Sequence, residues 1–128
     1  MWVGQNFTSG DWTVKEGNEE AFLQAWAELA DWCVENYPGT LGLYLIEDRQ
    51  VPRHYVSFGA WADFKTVSTS RSRPKFLELF RGCQRLCDRF VGSDYIAAVV
   101  NEPPDAVGNG GSPAGSPVNQ RAEGEESR

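Results

Sequence analysis

Histidine and cysteine are scarce in this sequence: one histidine and three cysteines stand in 128 residues. A structural zinc site needs four such ligands with short loops between pairs, so Cys33, Cys83, Cys87 and the remote His54 do not make a metal centre, and none is expected. An odd number of thiols also argues against a disulfide framework and fits a reducing compartment. No apolar run approaches the ~18 residues a membrane span requires. The opening "MWVGQNFTSG" lacks the basic start and apolar centre of a signal peptide, so a cytoplasmic location is expected. Basic residues are outnumbered, 12 against 18, giving a net charge of −6. Neither nucleic acid nor an anionic membrane is therefore an expected partner.

What is present is a good core-forming set. Hydrophobic residues make up 41% and aromatics 12% of the chain, enough for one stable domain over 1–100 without staples. From Asn101 onward the composition turns to Gly, Pro, Ser and charge without an aromatic, and 101–128 reads as a disordered tail.

The hydrophobic period switches along the domain. "FTSGDWTV" (7–14) reads as a strand. Gly17 and Asn18 then turn and cap a helix on which Phe22, Ala25, Trp26, Leu29, Trp32 and Cys33 form one apolar stripe. Tyr37-Pro38-Gly39 stops it. "LGLYLIED" (41–48) and "HYVSFGAW" (54–61) read as an antiparallel hairpin. "DFKTVSTS" reads as a short helix capped near Ala62 or Asp63. Pro74 opens a second long helix, on which Phe76, Leu79, Phe80, Cys83, Leu86, Cys87 and Phe90 extend a stripe as far as Gly92. "DYIAAVV" (94–100) reads as the last strand. The order is βαββαβ, predicting an α+β, ferredoxin-like fold: a four-stranded antiparallel sheet with the helices on one face. The apolar residues of the uncovered face predict a homodimer packed sheet to sheet. Arg71, Arg73, Lys75, Arg81, Arg85 and Arg89 read as solvated partners for the acidic face of the first helix.

"VSFGAW" within the third strand is unusual. Val56, Phe58 and Ala60 make one apolar face, while Ser57 and Gly59 leave the other nearly bare beside Trp61. Small residues next to a large ring leave room for something that is not protein. Trp12 sits near Gly10 in a similar way. Trp26 and Trp32 read as core, because aromatics at helical spacing usually pack.

The element order, "WTVKEGNEEAFLQAWAELADW", "PGTLGLYLIED" and "YVSFGAWADF" followed by "SRPKFLELF" resemble the antibiotic biosynthesis monooxygenase family of dimeric α+β barrels, from about Phe7 to Val100. The resemblance implies a pocket between sheet and helices in which a small aromatic substrate, a quinol or polycyclic phenol, meets molecular oxygen without a cofactor. Tyr44, Tyr55, Ser57, Gly59, Trp61 and Trp12 are then the substrate-binding candidates, and His54 is the candidate catalytic base. Haem-degrading relatives place a tryptophan near the position of Ser70 and their histidine iron ligand near that of Phe80; phenylalanine has no lone pair to offer, so haem chemistry is not expected. A ligand-binding barrel without chemistry is the alternative, and a lyase or isomerase using His54 a further one.

Overall fold

A computed structural model describes residues 1–104; the expected tail lies almost wholly outside the described residues. Contacts divide the chain into units at residues 1–98 and 99–128, and the first carries the sheet and the helices. Its elements are β1 (Asn6–Val14), α1 (Glu19–Asn36), β2 (Thr40–Glu47), β3 (His54–Trp61), α2 (Phe64–Ser72), α3 (Pro74–Gln84) and β4 (Cys87–Ile96). The strands form one antiparallel sheet in the order β2-β3-β1-β4. This is the ferredoxin-like α+β fold.

Local chemistry explains the boundaries. Gly17 adopts φ +90, a left-handed turn that glycine enters without a Cβ penalty, and α1 starts two residues later with Glu19 and Glu20 in its first turn. Asn18 occupies the N-cap position, but its side chain makes no capping bond; its amide instead reaches Leu86 O at 3.5 Å. Asp63 does cap α2, accepting from the Thr66 N–H at 2.7 Å. Pro74 occupies the first turn of α3, where its missing N–H costs nothing.

The sheet's two faces differ. Alternation puts Trp12, Val14 and Tyr55 into the helix-facing core, where they cluster with Phe22, Leu29 and Cys33 of α1 and Cys83 of α3. The opposite face carries Tyr44, Ile46, Val91 and Tyr95, each between 42% and 56% exposed.

The end of the chain corrects one expectation. The apolar stripe does not continue along α3 to Gly92, because the helix ends at Gln84. Cys87 and Phe90 belong to β4, in which Phe90 pairs with Trp12 and Gly92 with Gly10. The last strand therefore covers Cys87–Ile96 rather than 94–100. The spacing of Leu86, Cys87 and Phe90 suits helix and strand alike, and pairing with β1 decides for the strand. Three cations of the basic run find partners other than the acidic face of α1. Arg71 pairs with Asp94 of β4, Lys75 with Glu78 of its own helix, and Arg73 lies over the rings of Trp32 and Tyr37, 5.9 and 5.5 Å from their centroids.

Candidate functional site

Between the sheet and the helices lies a cavity of about 600 Å³. That volume is within the range of roughly 300–1,000 Å³ typical of small-molecule sites. The floor comes from alternate residues of the sheet: Thr8, Gly10 and Trp12 of β1, and Ser57, Gly59 and Trp61 of β3. Trp26, Leu29, Ala30 and Cys33 of α1 form one wall. Phe76, Leu77 and Phe80 of α3 close another, with Phe90 of β4 beside them. Arg71 and Asp94 line it where it is most exposed, each with nearly half of its side chain accessible.

The two tryptophans of the floor are fixed in the same manner. Trp12 donates its indole N–H to Ser57 Oγ at 2.9 Å, and Trp61 donates to Thr8 Oγ1 at 3.0 Å. Each ring crosses a glycine to reach its partner. A Cβ on Gly10 would stand 2.7 Å from both Ser57 Oγ and Trp12 Nε1. One on Gly59 would stand 2.8 Å from Leu43 Cδ2 and 3.0 Å from Thr8 Oγ1 and Trp61 Nε1. The bare face of β3 thus makes room first for an indole, and the cavity opens beyond it.

Register explains the likeness. Thr8 stands opposite Gly59, and Gly10 opposite Ser57. The segments Thr8-Ser9-Gly10-Asp11-Trp12 and Ser57-Phe58-Gly59-Ala60-Trp61 both carry a hydroxyl residue, a glycine two places on and a tryptophan two further. The antiparallel pairing relates them by a local two-fold axis. Thr8 and Gly10 are not among the candidates that the sequence suggests; the signal that finds them is this repeated spacing.

The fold brings Trp12, Ser57, Gly59 and Trp61 together on the cavity and places the other candidates elsewhere. Tyr55 faces the helices but is core, 4% exposed with its ring 5.5 Å from that of Phe22. Tyr44 lies on the opposite face, stacked on Phe58 at 5.1 Å. His54 also faces away from the cavity, held between two carboxylates: Nδ1 is 2.8 Å from Asp48 Oδ2 and Nε2 2.9 Å from Asp11 Oδ1. The hydrogen bond to Asp48 raises the His54 pKa above its ordinary 6.5, with burial opposing and Asp11 assisting. Trp26, expected in the core, packs against it and also lines the cavity.

Few ionisable groups reach the cavity. Burial pushes the Cys33 thiol up to about 11, which keeps it protonated and a poor nucleophile at neutral pH. Asp94 is held below the usual carboxylate range by its hydrogen bonds from Arg71, which grips it through both terminal nitrogens. No cluster of three or more His, Cys, Asp or Glu side chains suited to a metal occurs among the described residues. No helix among them is long and apolar enough to cross a membrane.

Comparison with solved structures gives the same fold at low identity. SnoaB, a cofactor-independent oxygenase from Streptomyces nogalater, superposes with a TM-score of 0.69 at 19% identity, over 77% of this chain and 97% of that one. A conserved protein from Methanosarcina mazei gives 0.68 at 14%, over 74% and 94%. A protein from Pseudomonas aeruginosa gives 0.64 at 17%, over 77% and 99%. No match is found among curated proteins. The sequence profile described as antibiotic biosynthesis monooxygenase matches residues 9–82. That segment spans α1, β3 and α2, most of β1 and α3, and both floor tryptophans, and the chain belongs to the antibiotic biosynthesis monooxygenase family.

Proposed function

We propose that the cavity binds a quinol or polycyclic phenol and that the protein oxidises it with molecular oxygen without a cofactor. The observation that carries this reading is the cavity itself: about 600 Å³, walled by Trp12, Trp26, Trp61, Phe76, Phe80 and Phe90, with hydroxyls on its floor. Aromatic walls favour a flat aromatic guest, and a few placed polar groups orient it. Family membership and the likeness to an oxygenase support the same class of chemistry.

The reaction balances simply. A phenolate passes one electron to oxygen, the two radicals combine at a ring carbon, and the resulting hydroperoxide loses water. The ring gains one oxygen atom and gives up two hydrogens as it becomes a quinone; the second oxygen leaves in the water. The protein's part is to bind the phenol, favour its anion and exclude bulk water. His54 has no part in this reading, because its imidazole lies on the other face of the sheet. The chain acts as a homodimer joined through that face, a reading supported by the exposed Tyr44, Ile46, Val91 and Tyr95.

One observation favours the alternative of a ligand-binding barrel without chemistry. Among the described residues, the only carboxylate on the cavity is Asp94, which Arg71 keeps weakly basic, and the Cys33 thiol stays protonated. Oxygen uptake with hydroxyanthrones and naphthols separates the two. One oxygen consumed per quinone formed, with loss in Trp61→Ala, supports the oxygenase; saturable binding without uptake establishes the binding protein.

A further inference from the structure

Trp12 and Trp61 spend the donors of the cavity floor on their neighbours. An indole has a single polar group, its N–H, and in both rings that group is already bonded to a hydroxyl. Neither ring has anything left to offer a ligand except its face. The hydroxyls are in the opposite condition. Ser57 Oγ and Thr8 Oγ1 each accept one bond, and neither donates its own proton to another group among the described residues. A hydroxyl that already accepts a hydrogen bond is polarised toward donating one. Both residues line the cavity.

The two hydroxyls are related by the two-fold axis of the β1–β3 pair, since Thr8 faces Gly59 and Ser57 faces Gly10. They are diagonal neighbours across the strands, a relation that separates backbone positions by about 7–8 Å. The glycines add no side chain of their own between them; the atoms nearest to Gly10 and Gly59 are those of the two indoles and hydroxyls, with Phe90 and Leu43 at the edges.

We propose that Thr8 and Ser57 are paired donors that select a planar ligand carrying two separated oxygen acceptors, carbonyl or phenolate, over one with a single oxygen or none. Discrimination follows from the unpaired state: a ligand lacking an oxygen leaves a desolvated hydroxyl without a partner. The inference rests on the cavity being the binding site and is independent of whether oxidation follows.

Equilibrium dialysis under argon with 9,10-anthraquinone, anthrone and anthracene tests it, because the three share one ring system and carry two, one and no oxygens. Affinity should fall in that order. Thr8→Val and Ser57→Ala should each weaken anthraquinone binding by about 5-fold, the usual worth of one net hydrogen bond, and bind anthracene no less tightly than the parent. Thr8→Ser and Ser57→Thr, which keep the hydroxyl, should bind anthraquinone like the parent. Equal affinity for all three ligands, or anthraquinone binding unaltered in Thr8→Val and Ser57→Ala, overturns the proposal. Where Ser57→Ala fails to fold, the contrast between Thr8→Val and Thr8→Ser decides. If even anthraquinone does not bind, the cavity is not the site, and the reading beneath the proposal fails with it.

Discussion

Trp12 and Ser57, 45 residues apart in the chain, meet through an indole-to-hydroxyl hydrogen bond of 2.9 Å. Trp12 is 1% exposed, and the serine hydroxyl is the partner of its indole N–H. Ser57→Ala should cost about 1–3 kcal/mol, the penalty for leaving a buried donor unsatisfied. Trp12→Phe removes donor and ring area together. In the double variant the two losses should be less than additive, as expected of contacting residues. Urea unfolding measures both terms, and strict additivity would mean that the bond contributes nothing.

Gly10 and Gly59 should resist even the smallest side chain. Gly10→Ala places its Cβ against both members of the Trp12–Ser57 bond, and Gly59→Ala against Leu43, Thr8 and Trp61. Each should cost about 1–3 kcal/mol, as overpacking does. Gly59→Leu would displace an indole before it could fill the cavity. Thermal melting of the two alanine variants at the stability of the parent would show that the rings yield easily.

The His54 clamp predicts a pH dependence with a definite sign. Its pKa is raised by the hydrogen bond to Asp48, so its contribution is complete below the ordinary 6.5 and is lost as pH rises through the higher folded value. Asp48 is held low by His54 and by the Gln50 and Val51 N–H groups. Its contribution holds above the ordinary 3.8 and fades as pH falls through the lower folded value. The melting temperature of the parent should therefore exceed that of His54→Gln most clearly at pH 5–6.5 and converge on it in alkaline buffer. A constant gap across that range would show that the clamp does not titrate.

The three thiols should be slow to react. Burial raises Cys33 and Cys87 to about 11 and Cys83 to about 12, so almost no thiolate exists at pH 8. Native protein should resist iodoacetamide over hours, while unfolded protein takes up three equivalents. Rapid native labelling would mean that the helical layer opens readily.

Ile46, 52% exposed on the open face of the sheet, tests the assembly. Sedimentation of the parent at low micromolar concentration should give about twice the 14.3 kDa chain mass, and Ile46→Lys should shift it toward the single chain. A parent that sediments as one chain refutes the dimer.

Sequence alone settled the order of the elements, because local chemistry sets it. Gly17 turns the chain, Pro74 starts α3, and strict alternation from His54 to Trp61 marks β3 at its true limits. It also marked Ser57, Gly59 and Trp61, since a strand face left that bare is anomalous by its own period. What it misjudged depends on partners. Leu86, Cys87 and Phe90 fit a helical spacing by coincidence, and only hydrogen bonding to β1 makes Cys87 and Phe90 strand residues. His54 is chemically suited to be a base, yet strand parity and two carboxylates on neighbouring segments put it on the opposite face from the cavity. The pairing of Trp12 with Ser57 and of Trp61 with Thr8 was equally beyond a linear reading. Each segment holds half of both hydrogen bonds, and it is the antiparallel register, fixed by the whole sheet, that turns two similar pentapeptides into one floor.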